Sequence, residues 1–440
     1  MVTRLTILLA FFLLPPAVTA EEQRLTLDEA IAATLTNNPD LRAARAAERE
    51  GAARVAEARA AYLPRVDLVE AWQRGNNPVF VFGSLLSQQR FGAANFAIDA
   101  LNRPDAVTNH RAAISVDQPL LDTQRLSGLR AAGLGRQVAS LSVREAEADL
   151  VLATTRAYGD VLRASTARAA AAAAVASAKE DLARAERSRD VGMTSESDVL
   201  SLSVHLAQVQ EREIQAGSGV TVATAQLNRL MGAPLDRELL LAEPAPAAVS
   251  VPSREEAEQA AMRDRPAVRR AAIQQSLADT AHRAARAAFL PQVYVQGLYE
   301  VNGHRFTDRA SSWMVAGQVR WNLFAGGGDL ARLRAATEAA ARAAAERQSA
   351  ETGLRLEAWT TRAQLEAAVA REVVGRKAVL QARESQRIIR DRFEAGLAAV
   401  NDVLRAANAL LDAETLRISS IVDVMVAKAA LDRATGQVRN

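Results

Sequence analysis

Cysteine is absent from the chain, which excludes a disulfide framework, thiolate chemistry and a lipid-anchored N-terminal cysteine. Aromatic residues supply only 4% of the 440 positions, and much of the 49% hydrophobic fraction is alanine, so large side chains are too few to fill a thick globular core. Packing must instead run along closely spaced helices. Histidine is rare. His110, His205, His282 and His304 are scattered without the spacing of a metal site or a catalytic triad, so no metal, cofactor or enzymatic reaction is expected. Beyond residue 20 no run reaches the roughly 18 uninterrupted apolar residues of a membrane helix. An excess of one charge is missing as well: 54 basic and 51 acidic residues interleave, so a pI near 9.5 reflects solvated helix faces with i,i+4 pairs and not a nucleic-acid surface.

The first twenty residues differ from the rest. Arg4 supplies a positive start, LTILLAFFLL a short apolar core and Val18-Thr19-Ala20 a small-residue cleavage site, so residues 1–20 read as a signal peptide with the mature chain starting at Glu21. The remainder is a tandem duplication. The first repeat covers 21–232, a proline-rich linker 233–252, and the second repeat 253–440. NNPDLRAARAA is echoed by RDRPAVRRAA and AYLPRVDL by AFLPQVYV, with Pro266 and Pro291 each 227 positions beyond Pro39 and Pro64. RSRDVGMTSESDVL and RFEAGLAAVNDVL then match at a step of 204, Gly192 with Gly396 and Asp198 with Asp402.

Each repeat predicts two short helices, two strands and a long helical hairpin. The helices LTLDEAIAATLTNN and NPDLRAARAAEREGAARVAEARAAY end before Pro64. Strands are expected near 65–74 and 111–119, where Val66, Leu68, Trp72, Ile114 and Val116 alternate with Arg65, Asp67, Gln73, Arg111, Ser115 and Asp117, and Pro119 ends the second. The second pair lies near 292–300 and 312–322, with Trp313, Val315, Val319 and Trp321 on one face and Gln318, Arg320 and Asn322 on the other. The loop 75–109, with Phe80, Phe82, Phe91 and Phe96, is expected to cap or line one end of the assembly; its counterpart near Asn302 to Ala310 is shorter, which explains the fall in step from 227 to 204. LFAGGGD is a glycine turn, since neither the lysine-serine pair nor the preceding parallel strand of a phosphate loop is present. Helices run from near Asp122 to Arg189 and from Gly327 to Phe393; 1.5 Å per residue makes each a rod of roughly 100 Å. Between Ser195 and Leu230, Val199, Leu202, Leu206, Val209, Ala216, Val220, Ala223, Leu227 and Leu230 form a coiled-coil seam, with a bend expected at Gly217 and Gly219.

Both hairpin turns set a glycine and an apolar residue, Gly192-Met193 and Gly396-Leu397, at the end of a rod, where no core receives them and a partner's hairpin can. Asp198 and Asp402 lie six positions beyond the respective glycines. They either stabilise a helix N-terminus or, in a symmetric assembly, form a ring of negative charge acting on passing ions. Strands of about ten residues suit a tilted bilayer crossing, but four cannot close a barrel, and open edges in lipid cost several kcal/mol per unpaired group. Strands from several chains must therefore join, with Trp72, Tyr299, Trp313 and Trp321 as aromatic girdles. The alternative is a small soluble sheet capping a helical bundle.

On the motifs LDEAIAATLTNNP, AYLP and AFLP, WNLFAGGG, DVGMTSESDVL and EAGLAAVNDVL, the chain resembles the TolC-like outer membrane efflux factors over nearly all of its length after residue 20. The resemblance implies a mainly α fold with a small transmembrane β part. Tandem-duplicated helical hairpins would build a trimeric α-helical barrel in the periplasm, joined to a 12-stranded outer-membrane β-barrel of four strands per chain. It implies a homotrimer in outer membrane lipid, a periplasmic adaptor docked on the tips Gly192, Met193, Gly396 and Leu397, and an inner-membrane transporter of a tripartite efflux or type I secretion system. Asp198 would match an aspartate of the constricting network at the tunnel mouth, and Asp402 an acidic-ring residue. Ala398 and Arg405 depart from the pattern, replacing an arginine partner and a second acidic ring. A passive trimeric porin and a coiled-coil envelope protein are the competing readings; the cargo is unspecified.

Overall fold

The computed structural model describes residues 24–190, 195–243, 249–395 and 397–437. The elements run α1 (Leu27–Asn37), α2 (Pro39–Ala60), β1 (Arg65–Gly75), α3 (Pro78–Ser87), α4 (Ile98–Asn102), β2 (Val107–Leu121), α5 (Thr123–Asp190), α6 (Glu196–Met231), α7 (Arg254–Asp264), α8 (Pro266–Ala287), β3 (Gln292–Arg305), β4 (Asp308–Arg320), α9 (Gly328–Glu394) and α10 (Val400–Thr435). A single 3-10 turn, Ala93–Phe96, precedes α4.

The duplication is visible in the helix ends. Thr26 and Glu29 form a capping box on α1, and Ser253 and Glu256 form its counterpart on α7, so two backbone N–H groups at each start find side-chain acceptors. Bonds from the cap backbone hold both glutamates below the usual carboxylate range. The pre-proline residues Asn38 and Arg265 are extended, which separates α1 from α2 and α7 from α8 at the same place in each repeat. Gly232 ends α6 at φ 67°, and a Cβ there would lie 2.8 Å from the Asn37 carbonyl oxygen. Gly436, after α10, has φ 74°, and a Cβ there would come within 2.7 Å of Asp264. In both repeats a left-handed glycine lets the end of the long hairpin touch the end of a short helix. Gly326 and Gly327 are also left-handed, at φ 60° and 81°, so GGGD is a turn into α9.

One compact unit draws on the segment ending at Asn38, Leu150–Val251 and Ala363–Ala430. Of the expected α6 seam, Val199, Leu202, Val209, Ala223, Leu227 and Leu230 are buried there, while Leu206, Ala216 and Val220 are half-buried. α6 runs as one helix through Gly217 and Gly219. Tyr158 of α5, only 1% exposed, has its hydroxyl between the carbonyl oxygens of Leu25 (2.9 Å) and Ala242 (2.7 Å). These two segments pair as an isolated parallel bridge, Leu25 with Leu241, inside a linker that looks irregular from its prolines. Nearby, Asn38 Nδ2 donates to the Leu230 carbonyl at 2.9 Å and Asn228 Nδ2 to that of Arg237 at 2.7 Å, so buried amides satisfy backbone groups beyond the helices. α5 and α10 approach closely at Gly159, where a Cβ would collide with Val422 Cγ1.

The other unit comprises Pro39–Asp149, Pro252–Arg362 and the segment from Leu431 on. Its sheet has the order β1-β2-β3-β4, antiparallel throughout. β2 does not stop at Pro119 but continues to Leu121, with a register shift between the two; an irregularity accommodates a proline whose missing N–H leaves a gap in the ladder. Only Phe306 and Thr307 join β3 to β4, so that loop is a tight turn, whereas the 75–109 connection folds into α3, the 3-10 turn and α4. In the helical part, Glu357 pairs with Arg265 (2.7 Å) and Arg433 (2.6 Å), Arg433 also pairs with Asp149, and Arg45 pairs with Glu147 at 3.0 Å. These pairs tie α2, α5, α9, α10 and the residue that caps α8 together where alanine-rich surfaces leave little apolar area to bury.

This packing leads to two expected outcomes. Gly159→Val should destabilise the purified protein by about 1–3 kcal/mol through overpacking, and adding Val422→Ala should restore part of the melting temperature; no recovery in the double variant would contradict the close crossing. Burial pushes the Tyr158 phenol up to about 12. The unfolded chain therefore loses that proton first, so stability should decline as pH rises from about 10 towards 12. Tyr158→Phe should flatten this alkaline decline in chemical denaturation while lowering stability at neutral pH by about 1 kcal/mol.

Candidate functional site

The sheet sorts its side chains by alternation. Register pairs Val66 with Val116, Leu68 with Ile114, Ile114 with Tyr299, Tyr299 with Trp313, Gly297 with Val315 and Val293 with Val319. These positions share one face, and Leu68 (72%), Trp72 (64%), Trp313 (77%) and Val319 (70%) are largely exposed on it. The other face carries Asp67, Arg111, Ser115, Asp117, Gln296, Glu300, Asn302 and Gln318. There Arg111 Nε donates to Glu300 at 2.7 Å across the β2–β3 pair. Strand order leaves β1 and β4 with one outer edge each. Exposing such a face to water is unfavourable, and the apolar band is far larger than scattered surface leucines require.

At the hairpin ends, Gly192, Met193 and Gly396 lie outside the described residues. Leu397 is 69% exposed, and its N–H donates to the Arg392 carbonyl at 2.8 Å, which closes the end of α9. Asp198 sits in the first turn of α6 in a capping box: it accepts from the Ser195 hydroxyl at 2.6 Å, while Ser195 Oγ accepts from the Asp198 N–H at 3.2 Å. Asp402 accepts from the Ala399 N–H at 3.3 Å in the first turn of α10, with Arg405 at 3.7 Å. The helix-start role expected for both carboxylates is thus occupied in this chain, and Arg405 serves as a local partner of Asp402.

Behind the tips the two hairpins meet. Val199, Leu202, Ala185 and Val400 form a buried cluster joined by Leu182, Phe393 and Leu404, so residues of α5, α6, α9 and α10 share one small apolar core. Further back, Arg390 of α9 donates to Ser177 Oγ of α5 at 2.7 Å and lies 3.8 Å from Asp181. Burial pushes the Asp181 carboxyl up, with Arg390 and Arg184 opposing. Burial also pushes the His205 imidazole down, aided by Arg212. A second ionic link joins Asp423 of α10 to Arg163 of α5 at 2.5 Å and Arg371 of α9 at 3.3 Å. Sequence reasoning missed these links, because a pairing across hairpins leaves no periodic trace.

Among the described residues no group of three or more His, Asp or Glu is placed to hold a metal ion, and no helix is long and apolar enough to cross a membrane. The family model of the outer membrane efflux proteins matches residues 30–233 and 258–437. The chain belongs to the outer membrane efflux protein family. No curated protein matches it. Its fold is similar to that of the Campylobacter jejuni CmeC outer membrane channel, at 15% identity and a TM-score of 0.83 over 100% of this chain and 96% of that one. A membrane protein from Pseudomonas aeruginosa (19%, TM-score 0.80, 93% of each chain) and the Vibrio cholerae outer membrane protein VceC (17%, TM-score 0.77, 93% and 96%) share the fold. This efflux protein therefore belongs to the outer membrane, and its family implies association with adaptor and inner-membrane pump partners.

The two sheet faces of the efflux protein should respond oppositely to one added charge. Val295→Arg, on the apolar face, should lower the yield of outer-membrane protein, since a cation at the bilayer midplane costs roughly 2–4 kcal/mol. Gln296→Arg, on the polar face, should assemble normally. Equal yields in membrane fractions would contradict this assignment of the faces.

Proposed function

We propose that three copies of this chain close one 12-stranded barrel, four strands each, through which cargo received from an inner-membrane transporter leaves the cell. The observation that supports this most is the sheet itself: one exposed apolar face, one polar face and two open edges. Joining β1 of one copy to β4 of the next pairs every edge group, turns the apolar face to lipid and leaves the charged face around water. The two repeats, 21–232 and 253–440 with the linker 233–252 between them, each supply one hairpin to a helical tunnel, and the linker carries the bridge to Leu25.

In this reading the tips Gly192, Met193, Gly396 and Leu397 receive the hairpins of the periplasmic adaptor, and exposed Leu397 is the apolar contact. Asp198 and Asp402 combine two tasks. Each closes its helix start, and three copies of each bring carboxylates around the mouth, where they act on passing cations. Arg405 beside Asp402 offsets part of that charge. A passive porin has no use for paired hairpins with an apolar tip, and a coiled-coil envelope protein has none for a two-faced sheet.

The two sites should separate by phenotype. Gly396→Trp with Leu397→Glu should abolish export and adaptor cross-linking while trimers form and melt normally. Asp198→Asn with Asp402→Asn keeps hydrogen-bonding caps but removes the charge, so docking should persist while single-channel conductance changes and block by multivalent cations weakens. Normal export by the tip variant, or unaltered conductance of the aspartate variant, overturns the corresponding assignment.

A further inference from the structure

The connection between β1 and β2 is the one long excursion at its end of the sheet, and it is built to stay there. Asn77 caps α3 by accepting from the N–H groups of Val79 and Phe80. Val81 and Ser84 are buried. Gln88, just past the helix, is 5% exposed, and its Nε2 donates to the Thr108 carbonyl (2.9 Å) and to Asn109 Oδ1 (3.0 Å). Asn109 in turn donates to Asn302 Oδ1 at 2.9 Å, and both asparagines are buried. Asn109 and Asn302 belong to the polar face of β2 and β3, the face of Arg111 and Glu300. A buried amide ladder therefore fixes α3 on the polar side of the sheet.

Among the described residues the opposite side of α3 is covered only in part. Val79 (82% exposed), Phe82 (38%) and Leu86 (49%) recur at helical spacing, and Phe82 continues through Phe91 to Phe96 by edge-on ring contacts of 4.7 and 5.1 Å. From Asn76 to Gln89 the segment has no charged residue, in a chain where 24% of residues are charged. We infer that α3 stands in the outer mouth of the pore and that its exposed apolar face meets the same face of two other copies of this chain. The inference rests on the barrel reading, in which the polar face lines the pore. On a three-fold axis a patch meets its own copies, so any charge would face like charge; a neutral apolar face is the kind that can close there. An apolar ring at the mouth gates by excluding water, which resists entry of polar solutes from outside.

The absence of cysteine makes the test direct. Val79→Cys supplies the only thiol of the chain; oxidation of outer membranes should give a disulfide-linked dimer on a non-reducing gel, with the third copy left single. Phe82→Ser with Leu86→Ser should raise the conductance of reconstituted trimers without loss of trimer yield. Conducting trimers with unchanged conductance, in which Val79→Cys does not cross-link and reacts freely with an impermeant maleimide on intact cells, would overturn the inference while leaving the barrel intact. Quenching of a fluorophore on Val79→Cys by brominated lipid would also overturn it, placing the face in the membrane. Wild-type protein that forms no conducting pore would instead remove the barrel reading, and this inference with it.

Discussion

The proposed barrel depends on pairing the backbone of two edge strands. β1 and β4 each have an outer edge that pairs with no strand among the described residues. In water such edges are solvated; in lipid each unpaired group costs several kcal/mol, more in total than the marginal stability of a domain. No side-chain change removes that cost. Only another strand does, and that is the physical ground for the proposed joining of several copies.

The helical part solves the reverse problem. Its side chains are small, so apolar burial per residue is modest, and close approach replaces bulk. The Gly159–Val422 crossing and the Gly375–Ser420 approach, where a Cβ would lie 3.1 Å from Ser420 Oγ, bring α10 against α5 and α9. Ionic links then act where apolar area runs out: Arg163 and Arg371 on Asp423, and Arg433 between Asp149 and Glu357. Several of these groups are half-buried, so each link adds less than its Coulomb attraction suggests, but breaking one leaves a charge stranded between helices.

Periodicity made much of this legible in the sequence. The helix bounds of α6 and α9, the seam from Val199 to Leu230 and the alternating faces of all four strands are local patterns, written in residues three, four or two apart. The strand ends were less legible. β3 and β4 extend to Arg305 and Asp308 because the bond ladder continues past the last clear alternation, and β2 passes Pro119 because the ladder shifts there. The folded interior of the 75–109 connection was hidden, since α3 is apolar on both sides and an all-round apolar helix has no stripe to read. Contacts between distant segments, Tyr158 with Leu25 and Ala242, or Arg390 with Ser177, leave no local trace at all.

Under the proposed function the duplicated aspartates carry two demands. Both hairpins must restart a helix within a few residues of a turn, and a carboxylate in the first turn does this by accepting backbone N–H groups, as Asp198 and Asp402 do. That requirement alone accounts for an acidic residue at the same place in both repeats. In the proposed trimer symmetry would multiply it: whatever caps each hairpin in one copy recurs in every other copy around the same opening. The ring of charge proposed at the mouth would thus arise from helix capping plus assembly, without any residue being added for the purpose. Where capping can be met by an uncharged side chain, the charge itself becomes the separable quantity, and asparagine at both positions is the substitution that isolates it.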